Sequence, residues 1–221
     1  MSADLDAATN TLRITEIFYS LQGESTRVGL PTVFVRLTGC PLRCVYCDSA
    51  YAFTGGERWS IQAVLDEVAK YQTRMVCVTG GEPLSQKNCL VLLRALCDAG
   101  YDVSLETSGA LDIAPVDARV SRIMDIKTPA SGEVRRNRYE NIELLRALDE
   151  VKFVISDRDD YLWSVACVRQ YALDQRCPVL FSTVFDQLAP RELAEWILQD
   201  HLPVRFQLQL HKMLWDEAQG R

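Results

Sequence analysis

The chain has 221 residues and a mass of 25.0 kDa, with 48% hydrophobic and 24% charged residues and only 11 glycines and 8 prolines; at roughly 100–200 residues per domain this describes one globular domain and excludes collagen, coiled coil and wholesale disorder. Its formal charge of −6 and pI near 5.0 are the reverse of the basic field that draws a protein onto nucleic acid. No apolar run reaches the ~18 residues that span a bilayer, and MSADLDAATN lacks a signal peptide's basic start and apolar stretch, so a cytoplasmic protein with neither membrane nor nucleic-acid partner is expected.

Residues 1–12 read as a flexible polar extension ahead of a single domain, 13–221. ITEIFYS (14–20) and VFVRLTG (33–39) carry the β-branched and aromatic content of strands and bracket the loop LQGESTRVGLP. SIQAVLDEVAKYQ (60–72) repeats apolar residues at helical spacing, MVCVTGG (75–81) reads as a strand, and QKNCLVLLRALCDAG (86–100) as a helix ending at a glycine. DVSLETSG (102–109), RIMDIKTP (122–129), EVKFVIS (150–156), PVLFSTV (178–184) and VRFQLQL (204–210) continue as strands, with helices expected at 137–149, 158–175 and 190–201. Such alternation specifies an α/β fold of parallel units. A full eight-unit barrel takes around 250 residues, so a partial or trimmed parallel (β/α) barrel is expected, with its chemistry on the loops that follow the strands' C-terminal ends. GCPLRCVYCDS, GGEP, ETSG and DIKTP all lie there. The one dense basic cluster, Arg135, Arg136 and Arg138, reads as a solvated loop face.

Eight cysteines in a chain without an export signal suit a reducing compartment, where cysteine clusters mean metal or catalysis more often than disulfides. Cys77, Cys89, Cys97, Cys167 and Cys177 are scattered through apolar stretches and read as small buried hydrophobes. Cys40, Cys44 and Cys47, spaced CxxxCxxC, can converge from a single loop. A structural zinc site would need a fourth ligand, and both histidines lie near the C-terminus. An iron–sulfur cluster held by three thiolates instead keeps one iron open. In GGEP, the glycines allow a ligand close to the backbone, and the Glu82 carboxylate can accept from an ammonium group.

GCPLRCVYCDSAYAF followed one strand later by TGGEP resembles the radical S-adenosylmethionine (SAM) superfamily. The resemblance implies that Cys40, Cys44 and Cys47 hold a [4Fe-4S] cluster whose open iron is chelated by SAM, that Tyr46 lies near the adenine, and that Gly80, Gly81 and Glu82 receive the methionyl amino group. EIFYSLQGEST, FVRLTGC, CDSAYAF, TGGEPLSQ, LETSG, DIKTPASG, VKFVIS and the late QLHK are, together, similar to the 7-carboxy-7-deazaguanine synthase family over about Ile14 to Lys212. That family converts 6-carboxy-5,6,7,8-tetrahydropterin to 7-carboxy-7-deazaguanine with release of ammonia, a step of queuosine and deazapurine biosynthesis, by adenosyl-radical hydrogen abstraction, ring contraction and SAM regeneration. It implies a lyase dependent on SAM and Mg2+, a homodimer, and a flavodoxin- or ferredoxin-type electron donor.

Residue by residue, the likeness gives Leu21, Gln22, Gly23 and Glu24 to the pterin site, Arg36 to the substrate carboxylate, Thr79 to the substrate, and Thr107, Ser108, Asp125, Ile126 and Lys127 to SAM. Ser49 stands where the family more often has the threonine that ligates Mg2+; it keeps the hydroxyl oxygen that this hard cation prefers. His211, followed by Lys212, matches a late His-Lys pair near the substrate. Two other readings share some of these features: a radical SAM activating enzyme acting on a partner protein, which gives no reason for LQGE, and a non-catalytic zinc-loop protein.

Overall fold

In the computed structural model, which describes residues 10–216, 218 and 220, nine strands form one sheet in the order β3-β1-β2-β4-β5-β6-β7-β8-β9. They are β1 (Thr11–Leu21), β2 (Pro31–Leu37), β3 (Glu57–Ser60), β4 (Met75–Gly80), β5 (Asp102–Thr107), β6 (Ser121–Asp125), β7 (Glu150–Ile155), β8 (Val179–Thr183) and β9 (Arg205–Gln207). From β2 to β9 every pairing is parallel, and β3 and β9 do not meet, so the barrel is open. The exception to parallel units is β1, which runs antiparallel to both β2 and β3.

The helices are α1 (Ile61–Val68), α2 (Cys89–Asp98), α3 (Arg158–Tyr171), α4 (Pro190–Gln199) and α5 (Leu210–Trp215). Local chemistry starts them: Ser60 accepts from the Ala63 amide, Asp157 from that of Asp160, and Pro190 occupies the first turn of α4. The period of two along each strand then sorts the sheet's faces. Val33, Val35 and Leu37, Val76 and Val78, Val103 and Leu105, and Val151, Phe153 and Ile155 join the helices in one buried core. The intervening residues, Phe34 and Arg36, Thr79, Glu106, Ile123 and Asp125, and Lys152 and Val154, turn to the opposite face and line a cavity.

Three expectations are corrected. Residues 137–149 form no α-helix but 3-10 turns, Tyr139–Leu144 being the longest. The buried Asn141 side chain donates to the Gly109 and Leu111 carbonyls and accepts from the Ile113 amide, and Asp149 is clamped by Arg122 and by the nearby Arg146; the anchors to residues 109–122 hold the segment off a helical path. The strand expected over 204–210 is only three residues long, and α5 begins at Leu210. Strand β3 was not anticipated. At the N-terminus β1 starts at Thr11, inside the stretch expected as a flexible extension; residues 1–9 of that stretch lie outside the described residues. No helix among the described residues is long and apolar enough to cross a membrane.

Candidate active site

The cavity, of about 220 Å³, has a floor, a wall and a roof that come from different parts of the chain. The floor is the LQGEST loop. Leaving β1, it crosses beneath the parallel strands: Ser25 exchanges hydrogen bonds with Gln207 on β9, Thr26 donates through its amide and hydroxyl to Glu150 at the start of β7, and Arg27 pairs with Asp102 at the start of β5. These tethers hold Gln22, Gly23 and Glu24 against the cavity. The Gln22 side chain is 2% exposed; its Oε1 accepts from the Glu24 amide, while its Nε2 has no hydrogen-bond partner among the described residues.

The wall is the inward face of β2 and β4 to β7. Arg36 donates from Nε to Glu16 (2.7 Å), lies over the Phe18 and Tyr51 rings, and turns Nη1 toward the Ser49 hydroxyl at 3.5 Å. Tyr51 also donates to Glu16 (2.7 Å). The guanidinium is thus fixed along one edge and free for an anion along the other. Thr79 donates to Glu106 at 2.9 Å. Farther along, Lys152 pairs with Glu24 (2.5 Å) and approaches Asp125 (3.9 Å), Asp125 pairs with Lys127 (2.9 Å), and Gln209 donates to Glu24 (2.7 Å). The Asp125 Oδ1 atom is buried and has no hydrogen-bond partner among the described residues.

Charge on this wall is set by competition between burial and pairing. Burial pushes the Glu24 carboxyl upward, but Lys152 and His211 prevail and bring it down to about 2. Burial pulls Lys152 and Lys127 down, yet Glu24 and Asp125 hold the first, and Asp125 the second, well above the ordinary lysine range. Both lysines are therefore cations and Glu24 an anion at neutral pH.

The roof is the loop after β2. Cys40, Cys44 and Cys47 are free, half-buried and all line the cavity. Burial raises all three thiols, Cys44 to about 11, so they remain protonated until a metal displaces the proton. Among the described residues no three His, Cys, Asp or Glu are gathered tightly enough to hold a single metal ion, which a tetrahedral zinc site would require. Three thiols with no fourth protein donor fit an iron–sulfur cluster with one open iron. Gly81 packs directly beneath: a Cβ there would fall 2.4 Å from the Gly39 carbonyl and 2.7 Å from Cys40 Cβ. Tyr46 is held by its hydroxyl against Thr128 (3.2 Å) and the Val154 carbonyl (3.3 Å).

Helix α5 covers the gap left by the open sheet. The Leu210 amide donates to the Gly23 carbonyl, and His211 sits so close that a Cβ on Gly23 would lie 2.2 Å from its Nδ1. Lys212 reaches across to Asp48 beside the cysteines (3.4 Å). Burial opposes ionisation of Asp48, but Lys212 leads the effects that bring its carboxyl below the ordinary range. Asp48 in turn accepts from the Ser49 hydroxyl (3.0 Å).

Of the residues expected in the site, Cys40, Cys44, Cys47, Tyr46, Ser49, Gly80, Gly81, Thr79, Thr107, Ser108, Asp125, Lys127, Leu21, Gln22, Gly23, Glu24, Arg36 and His211 line this one cavity. Two do not. Glu82 is fully buried behind it, and its carboxylate accepts from the Thr107 hydroxyl, the Ser108 amide and hydroxyl, and the Leu84 amide; it fastens the GGEP turn to β5 and has no reach for an ammonium group. Ile126 is in the core, because alternation along β6 sends Asp125 inward and its neighbour outward. Glu16, Glu106, Lys152 and Gln209 were missing from the expected set, whereas Lys212, expected beside His211, does line the cavity. Glu106 and Lys152 carried a usable signal, a charge placed within a strand.

Comparison with known proteins agrees with this geometry. The radical SAM superfamily matches residues 34–128. A 7-carboxy-7-deazaguanine synthase of Chlorobaculum tepidum is 46% identical over 95% of this chain and 97% of its own, and one of Koribacter versatilis is 45% identical over 92% and 97%. In fold, QueE from Escherichia coli superposes with a TM-score of 0.72 at 21% identity, covering 94% of this chain and 98% of that one.

Proposed function

The chain belongs to the 7-carboxy-7-deazaguanine synthase family, and on that premise we propose that its cavity converts 6-carboxy-5,6,7,8-tetrahydropterin to 7-carboxy-7-deazaguanine with release of ammonia. The observation that carries this reading is a single cavity with three free thiols in its roof and the LQGE loop with Arg36 on the facing surfaces. Cys40, Cys44 and Cys47 would hold a [4Fe-4S] cluster, with SAM against Gly80, Gly81 and the ends of β5 and β6. Held there, the two would supply the one-electron chemistry for hydrogen abstraction.

The chain's own residues bind, orient and shield. Arg36, clamped by Glu16 between two rings, presents its free edge to the substrate carboxylate. Gln22 Nε2, buried and without a partner among the described residues, is a donor for a carbonyl or ring nitrogen of the pterin, and Asp125 Oδ1 an acceptor for a hydroxyl or amino group. Leu21, Phe18 and Phe34 supply apolar surface for the ring system. Ser49 Oγ, beside Asp48 and near Arg36, would hold Mg2+, which would supply Lewis-acid polarisation of the substrate. A closed α5 excludes water from a reactive intermediate. A homodimer and a flavodoxin- or ferredoxin-type donor belong to the same proposal and rest on the family likeness.

The test is anaerobic turnover of reconstituted protein with SAM, reductant and Mg2+: ammonia should appear in step with loss of the pterin. Iron and 5′-deoxyadenosine without ammonia would place the chain in the superfamily with another substrate.

A further inference from the structure

The basic cluster at 135–138 takes no part in the cavity. Arg135 and Arg136 project from the exposed 3-10 turn Val134–Arg136, with Arg138 exposed just after it, and none of the three side chains has an acidic or hydrogen-bonding partner among the described residues. What the sequence does not disclose is its neighbour. The Val45 amide donates to the Ser131 carbonyl (3.0 Å), the Arg43 amide to the Glu133 carboxylate (2.6 Å), and a Cβ on Gly132 would lie 3.5 Å from Val45 Cγ2. The basic turn is therefore fastened to the outer side of the cysteine loop. Val45, between Cys44 and Tyr46, is 77% exposed, more than any other large hydrophobic side chain among the described residues.

An apolar tip with a charged rim has the anatomy of a protein interface, and one this small suits a transient encounter. Its position adds a function. Cys44 lines the cavity while the next residue stands in solvent, so this is where the thiol loop comes to the surface. Arginine side chains left unpaired on a chain of net charge −6 make a local field opposite to the whole, which would repel an acidic protein elsewhere and orient it here.

We propose that Val45, Arg135, Arg136 and Arg138 form the docking surface for a small acidic electron-carrier protein whose redox group lies at its own surface, a proposal that rests on the iron–sulfur reading above. The carrier is oxidised by one electron and the enzyme's cluster reduced by one; no bond breaks and no proton or group is transferred. The carboxylates rimming the carrier's redox group meet the arginines, and Val45 meets its apolar centre.

The experiment uses reconstituted holoenzyme and a bacterial flavodoxin as probe. Two readouts need no pterin: the affinity of the two proteins by titration calorimetry, and the stopped-flow rate of cluster reduction by flavodoxin hydroquinone, each measured at low and high salt. In the Arg135→Glu/Arg136→Glu double variant, affinity and reduction rate should fall roughly tenfold or more at low ionic strength and converge with wild type at high salt, where charges are screened. Reduction by dithionite, which needs no docking, should stay within about twofold of wild type, and Arg58→Glu, on the exposed edge strand β3, should change neither readout. Unchanged flavodoxin affinity and rate would overturn the proposal, as would an equal loss with dithionite, or a change in oligomeric state by light scattering that shows the surface to be a contact between copies. Failure to make 7-carboxy-7-deazaguanine would instead touch only the substrate assignment.

Discussion

Replacing Lys152 by methionine tests the charge arrangement of the cavity wall, because it keeps much of the side-chain volume and removes the cation that faces Glu24. In the folded chain the Glu24 carboxyl titrates at about 2 rather than its ordinary 4.5, a difference of roughly 3 kcal/mol at 1.36 kcal/mol per unit. A depressed carboxyl contributes stability that is present above its unfolded value and is lost as pH falls toward its folded one, here between about 4.5 and about 2. Without Lys152 the burial of Glu24 is opposed only by His211 and the hydrogen bond from Gln209, and the folded pKa is expected to move above the unfolded one. The sign then reverses, so that the variant loses stability as pH rises above about 4.5. Urea titrations of the two proteins from about pH 4 to pH 7 should show a gap that widens with pH to about 3 kcal/mol, the order expected when one partner of a buried pair is removed. Adding Glu24→Gln should recover most of it, since neither charge then remains unpaired. A gap that stays constant with pH would refute the assignment of Glu24 as a buried anion held by Lys152.

Arg36→Lys should lower kcat/KM by roughly 10- to 100-fold, mainly through KM, because an ammonium cannot hold Glu16 and a substrate carboxylate in one fixed plane; steady-state kinetics decide it. Gly23→Ala should destabilise the chain by about 1–3 kcal/mol and weaken pterin binding, since the new Cβ would displace His211 and with it α5; a thermal melt at unchanged affinity would contradict the role given to that helix. Ser49→Ala should remove the stimulation of turnover by Mg2+ while leaving SAM affinity intact, and Ser49→Thr should restore it, read by magnesium titration of the rate.

Much of this was legible locally, and the reason is the short range of the signals. CxxxCxxC and GGEP are contiguous, and the alternation in MVCVTG or EVKFVI identifies strands without any knowledge of their partners. What escaped depends on partners distant in sequence. NRYENIELLRALDE has helical spacing, yet Asn141 and Asp149 are claimed by Gly109, Leu111 and Arg122. Glu82 reads as a ligand-facing carboxylate until β5 supplies the donors that occupy it. Lys152 gains its role from Glu24, 128 positions away in the chain, and His211 from a glycine on the first loop. The antiparallel β1 departs from the alternation because its link to β2, residues 22–30, holds no crossover helix, and its other partner β3 is a four-residue strand with no apolar pattern.

The most direct measurement of the central claim is mass spectrometry of the product formed by reconstituted wild-type protein and by Cys44→Ala, each incubated anaerobically with SAM, reductant, Mg2+ and 6-carboxy-5,6,7,8-tetrahydropterin. The wild type should form 7-carboxy-7-deazaguanine and the variant none. The same product from both proteins, or unchanged pterin with zinc in place of iron in the wild type, would contradict that claim.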